Sequence, residues 1–444
     1  MPIMQFEGMD DAKLWIVTTV LAGAIYYLYK KVFSYDHGPN ALGLHYPPSP
    51  SGQHWLWGHG KLLPRDGSHY DVEFLKIAQE LGNASVFSLT LPVVKKMIVV
   101  ADPDLIHHIT VSQNYDKSWT YSKLLFGPQS IVRAHGDEWL AMRKAFVGGF
   151  TPSYLKDMVT TMSLKLERLL ECLDGEAENC KASHMFLKSQ IFTSDVIVQV
   201  ALGEDWGNAY NESPEFMDNF EIFMKYTQRT RSKLTEARCY FIEMAYLSAS
   251  ITNDPWVAAI GYGERKRMKV INSDINWMFE NVLERRLRDL QSEDKKKKER
   301  KDICTLAIEA INSSKDVATL TPAEKASIVE QLKTFYFAGN DTTATTIAWC
   351  SWLLSQHPDV VKTLRKELDQ KKIFRGLKSG DDIGSLERTG PSYEDLNNCP
   401  YLDAVIKETL RLYPPASTAR YVADPNESYN KEYKLGGAVL YINP

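Results

Sequence analysis

The run Ala338-Gly339-Asn340-Asp341-Thr342-Thr343 sets a carboxylate and two hydroxyls beside a residue with no side chain, in the middle of an apolar segment. Glycine inside a helix costs about 1 kcal/mol relative to alanine, and threonine and aspartate compete there for backbone hydrogen bonds. Such a local conflict points to a site. Ala338 and Thr342 stand at i and i+4 on one helical face, so the gap at Gly339 is expected to leave a groove where a flat ligand lies beside a hydroxyl and a carboxylate. The competing reading is a buried helix with a packing glycine. Two other pairs carry chemistry through their spacing. Glu408 and Arg411, at i and i+3, share a face and can form an ion pair, which on a surface contributes roughly a few tenths of a kcal/mol. Trp139 and Arg143, at i and i+4, bring an indole N–H donor beside a guanidinium, as a generic amphipathic helix also does.

These residues need elements to hold them. Thr321 as N-cap, Pro322 at the first helical position and Glu324 three residues after the cap open one long helix, which stops before His357-Pro358. At about 1.5 Å per residue it is roughly 50 Å long, enough to cross a large domain. Ala404 to Pro415 reads as a short helix broken by its proline pair. Ser85 to Asp102 alternates as a hairpin, and Asp102-Pro103 starts a helix whose His107 and His108 read as surface or packing residues. Phe216, Phe220, Phe223 and Tyr226 form an aromatic stripe on one helical face, for which core packing is the default explanation. Gln291 to Lys301 is a solvated charged run.

Together these motifs resemble the cytochrome P450 family of haem-thiolate monooxygenases, in family order: the proline-rich Tyr46-Pro47-Pro48-Ser49-Pro50, the WxxxR of Trp139 and Arg143, the AGxDTT of Ala338 to Thr343, and the ExxR of Glu408 and Arg411. The wording of Asn398 to Pro415 looks like filamentous-fungal members, many of which tailor secondary metabolites. The resemblance implies a mainly α fold with small β-sheets and a haem against Ala338, Gly339 and Thr342. It implies that Trp139, Arg143 and Arg420 hold the propionates, and that Asp341 and Thr342 relay protons to dioxygen. Trp119, Tyr121, Phe126 and the aromatic stripe would then border a pocket for a lipophilic substrate, and electrons would come from an NADPH-dependent flavoprotein reductase.

The family's ligand cysteine sits in a glycine-rich loop well downstream of ExxR, whereas Pro444 is only 33 positions after Arg411. None of Cys172, Cys180, Cys239, Cys304, Cys350 and Cys399 lies in such a loop, and no CxxC or zinc-type spacing occurs. The expectation is a cytochrome P450 fold lacking its C-terminal portion, with the axial cysteine beyond Pro444, no metal ligand within the chain, and a weakened Glu408–Arg411 charge network. Losing one member of such a network when buried costs about 3–5 kcal/mol. The alternative is a haem-free, catalytically inactive membrane-anchored remnant or binding protein.

A net charge of −4 and a pI of about 6.2 argue against a nucleic-acid partner driven by bulk charge. Leu14 to Tyr29 is an uncharged run, extended by Val32-Phe33, with acidic residues before it and Lys30-Lys31 after it. It reads as a single-span anchor at 14–33, with residues 1–13 in the lumen, a proline-rich linker at 34–52, and the domain at 53–444 on the cytosolic face of the endoplasmic reticulum. Cleavage after Ala24 would instead make a secreted helical protein unrelated to haem. The N-x-S sequons at Asn83, Asn211, Asn340 and Asn426 read as chance matches.

Overall fold

The computed structural model describes Gly23 and residues 39–54, 58–63, 70–91, 95–117, 127, 129–207, 210, 214–235, 262–291, 302–311, 320–371, 373 and 391–442. The expected anchor apart from Gly23, the segment with Trp119, Tyr121 and Phe126, the side chain of Tyr226, and the charged run after Gln291 lie outside them. The chain is mainly helical with two small sheets and divides into two compact units: 1–120 with 231–265 and 418–444, and 121–230 with 266–417.

In the first unit, α1 (Tyr70–Glu80) precedes the expected hairpin, whose strands β1 (Val86–Leu91) and β2 (Lys95–Val100) pair antiparallel. Helix α2 (Pro103–His107) starts at Asp102, whose side chain accepts from the Leu105 N–H at 2.8 Å, and a π-helical turn follows over His108–Ser112. His107 is exposed and His108 packs on the rings of Tyr115 and Tyr429, so both are surface or packing residues. Strand β3 (Thr418–Tyr421) leads to the small β4 (Ser428–Tyr429) and β5 (Tyr433–Lys434) ladder, and β6 (Val439–Ile442) inserts between β2 and β3. The β6 strand runs parallel to β2, with Met97 opposite Val439, and antiparallel to β3. The proline-rich stretch supplies acceptors to β1: Ser88 donates its N–H to Pro48 and its hydroxyl to Pro47, at 2.7 and 2.8 Å.

The second unit is helical. It contains α3 (Gly136–Phe146), α4 (Pro152–Glu178), α5 (Met185–Ile197, continued by a π-helical turn to Leu202), most of α6 (Pro214–Thr235) and all but the start of α7 (Tyr262–Gln291). Then come α8 (Ile303–Ile311), α9 (Pro322–Gln356), α10 (Pro358–Gln370), α11 (Tyr393–Asn397) and α12 (Pro400–Leu412). The long helix has the expected ends: Thr321 and Glu324 form a capping box, and His357 caps it before Pro358. Phe216, Phe220 and Phe223 enter one core with Trp206, Phe279 and Tyr336, so the described part of the aromatic stripe is core packing. Met185–Leu202 is long and apolar enough to cross a membrane by length and composition, yet it packs along α9 within this core. Two buried charges join α4 to α5, with Lys165 Nζ 2.8 Å from Asp195 Oδ1.

Candidate functional site

The seam between α5 and α9 is polar rather than greasy. Asn340 is fully buried; its side-chain amide donates to the Gln190 carbonyl at 2.8 Å, and Thr193 donates its hydroxyl to the Asn340 carbonyl at 3.1 Å. Ser194 and Tyr336 share a hydroxyl–hydroxyl hydrogen bond nearby. A Cβ at Gly339 would overlap Cδ1 of Ile197 and come within 2.8 Å of its Cγ1. The expected groove at Gly339 is therefore filled: the glycine admits α5, and packing explains it. A burial of Asn340 this complete also leaves its sequon unreachable.

The opening lies on the other edge of α9. Ala338 is exposed and Thr342 half-buried, with Thr345, Thr346 and Trp349 continuing that edge, while Tyr336, Asn340 and Ala344 line the buried one. Thr342 Oγ1 donates to the Ala338 carbonyl at 2.7 Å, the back-bond to i−4 that threonine makes inside helices. Asp341 is buried with only 8% exposure, one position from Thr342 and thus on a different side of the helix. The resulting surface is small, weakly polar and flanked by an acid, suitable for a flat apolar ligand. Farther along, Trp349 stacks on Tyr413 with centroids 3.9 Å apart, tying α9 to α12.

The other residues singled out by spacing fall as follows. Trp139 and Arg143 both lie on α3, and the Arg143 guanidinium sits over the indole, 5.3 Å from the ring centroid. Arg143 is exposed and has no carboxylate within ion-pair range among the described residues. Glu408 and Arg411 do pair, through two 2.8 Å hydrogen bonds, and each holds the other charged: the guanidinium pulls the carboxyl below its ordinary range and the carboxylate raises the guanidinium. Their side chains are 57% and 66% exposed, so the expected buried network is here a solvated pair that adds little stability.

Arg420, on β3, belongs to the first unit. Its Nη1 donates to Thr418 Oγ1 at 2.9 Å and its buried Nε has no hydrogen-bond partner among the described residues. Burial lowers its pKa. Lys117, bridged to it by backbone pairing, is also lowered, by burial first and by the Arg420 charge second. Two half-buried cations thus come from neighbouring backbone positions, and Lys117 carries no motif that would have singled it out. In the second unit the reading by spacing also missed Asn340 and Glu330, whose partners are distant in sequence. Gln129 donates its N–H to Glu330 at 2.5 Å and Ile131 donates to Gln331 at 3.0 Å, strapping that stretch onto α9.

Comparison with known proteins places these features in context. The chain is 29% identical over 335 residues to cytochrome P450 monooxygenase acrF of Aspergillus aculeatus, covering 74% of this chain and 60% of the relative. It is 25% identical over 351 residues to cytochrome P450 3A16 of mouse, covering 78% of this chain and 63% of the relative. The chain thus spans about three fifths of the length of these curated relatives. A crystal structure of a cytochrome P450 (CYP102L1) superposes with a TM-score of 0.66 at 15% identity, covering 91% of this chain and 78% of that one, which shows a shared fold. The family model for cytochrome P450 matches residues 47–435, and the chain belongs to that family.

Proposed function

We propose that this chain is a haem-dependent monooxygenase that inserts one oxygen from O2 into a lipophilic small molecule, by hydroxylation or epoxidation, and that haem and substrate meet along the open edge of α9. That edge supports the reading best: Ala338 and Thr342 lie uncovered beside buried Asp341, in a family whose cofactor is haem. Haem held through a thiolate supplies the activation of O2.

The chain's own groups fit parts of such a ligand. The methyl of Ala338 leaves room for a planar ring, and Gly339 offers backbone alone because Ile197 fills its side-chain space. Arg143, exposed and backed by Trp139, suits a propionate, and a bidentate hydrogen bond is its natural geometry. Arg420 suits an anion because its buried Nε has no hydrogen-bond partner among the described residues. Thr342 Oγ1, which donates to the Ala338 carbonyl, is the hydroxyl we assign to proton delivery at the open edge, with Asp341 as the acid that the family resemblance pairs with it. Two described thiols do not suit a thiolate ligand. Burial pushes Cys304 far above the ordinary thiol range, and Cys399 directs its sulfur at the Asp395 carbonyl.

The filamentous-fungal wording of Asn398 to Pro415 is our ground for a role in secondary-metabolite or toxin biosynthesis, and a fungal monooxygenase is among the relatives. An NADPH-dependent flavoprotein reductase would supply the electrons, and the run at 14–33 would anchor the protein as a single pass in the endoplasmic reticulum. Haem titration into membrane-expressed protein, read by the absorbance of the reduced carbon-monoxide complex, tests the site. Uptake that weakens in Ala338→Phe, Arg143→Ala and Arg420→Ala is expected. Uptake unchanged in all three, or none at all in protein with native circular dichroism, overturns the placement.

A further inference from the structure

Cys172 on α4 and Lys188 on α5 face one another, with Lys188 Nζ 2.7 Å from Cys172 Sγ and 3.1 Å from Glu176 Oε1. Hydrogen bonds from nitrogen to oxygen centre on about 2.9–3.0 Å, and sulfur is the larger atom, so this approach is close. Both ends of the lysine are fixed. The Tyr210 hydroxyl donates to the Lys188 carbonyl at 3.2 Å, and the Tyr210 ring lies 5.8 Å from Nζ. Burial opposes the charge on Lys188, but its hydrogen bonds to Cys172 and Glu176 outweigh that and keep it above the ordinary lysine value. The lysine side chain is 17% exposed and Cys172 is half-buried, which admits a small oxidant and excludes a bulky thiol.

We propose that Cys172 and Lys188 are a modification site at which peroxide joins α4 to α5 through one oxygen, as a sulfur–oxygen–nitrogen bridge. Hydrogen peroxide first oxidises the sulfur to a sulfenic acid: an S–O bond forms, the O–O bond breaks and water leaves. A second peroxide transfers oxygen to the lysine nitrogen in the fraction that has released its proton to solvent, giving a hydroxylamine and another water. The hydroxylamine oxygen then displaces water from the sulfenic sulfur. Sulfur and nitrogen each lose two electrons, the two peroxides accept all four, and three waters are released. The product has gained one oxygen and lost two hydrogens. An ordinary ion pair between Lys188 and Glu176, with the thiol a bystander, is the rival explanation.

The full chain carrying Cys180→Ser, which removes the exposed thiol eight residues on, is treated with hydrogen peroxide, digested with trypsin and mapped by mass spectrometry. The expected result is the Cys172 and Lys188 peptides joined with that mass change, no cleavage after Lys188, and release by dithiothreitol. In Lys188→Arg, which keeps the ion pair, the joined peptide should vanish and Cys172 should advance to the sulfinic acid. Cleavage after Lys188 in peroxide-treated protein whose Cys172 is already sulfinic overturns the proposal, as does a joined peptide without the added oxygen.

Discussion

At the scale of single residues, the segment Ala338 to Thr343 divides its labour over two sides of one helix. Gly339 serves packing, so Gly339→Ala sets a gain in helix propensity of about 1 kcal/mol against an overlap with Ile197 that costs about 1–3 kcal/mol. The expected outcome is net destabilisation by about 1 kcal/mol in urea unfolding, and Gly339→Ala should cost less than that, or nothing, when made in an Ile197→Ala background. Thr342 is different: it is half-buried, and among the described residues its hydroxyl bonds only within its own helix. Thr342→Ala is expected to leave stability within about 0.5 kcal/mol. If the hydroxyl delivers protons, the same change should lower product formed per electron consumed by about tenfold or more. Spacing alone put Ala338 and Thr342 on one face, but it placed the groove at Gly339, where Ile197 fills the space. The position of Ile197, 142 residues away by 339 minus 197, is not written in the local pattern.

At the scale of elements, the boundaries of α9 were legible because capping box and proline stop are local signals, and each satisfies backbone groups that a helix end leaves unpaired. Thr321→Ala should cost about 1 kcal/mol by thermal unfolding. The hairpin was legible for the same reason. The strap at Glu330 was not, since it depends on the backbone of Gln129. Burial raises the Glu330 pKa, with the Gln129 hydrogen bond and the charges of Lys333 and Arg133 only partly opposing it. A carboxyl raised in the folded state binds more protons there than when unfolded, so its contribution to stability falls as pH rises from the unfolded value through the folded one. Glu330→Gln keeps an acceptor for Gln129 and removes that loss. Urea unfolding should show the variant gaining on the parent between pH 4 and pH 7, with the smallest difference at pH 4.

For the molecule as a whole, membership of the family was readable from four motifs because they are short and ordered along the chain, and the matched region confirms it. The exposure of Glu408 and Arg411 was not readable, because solvent access depends on what surrounds a helix and not on its own spacing. The proposed anchor belongs to this scale too: the full chain should stay in the membrane pellet after alkaline carbonate extraction, and deletion of residues 1–38 should release it. One further consequence follows from the four-stranded sheet. Strand β6 occupies its centre, yet its register partner Met97 precedes Val439 by roughly 340 residues. On the ribosome, β2 must wait with its pairing edge bare through the synthesis of nearly all the helices, an interval of tens of seconds at about 5–20 residues per second. Such an edge recruits any passing strand. Yield of folded protein should therefore depend on the cell's chaperones during translation more than on the final stability of the sheet.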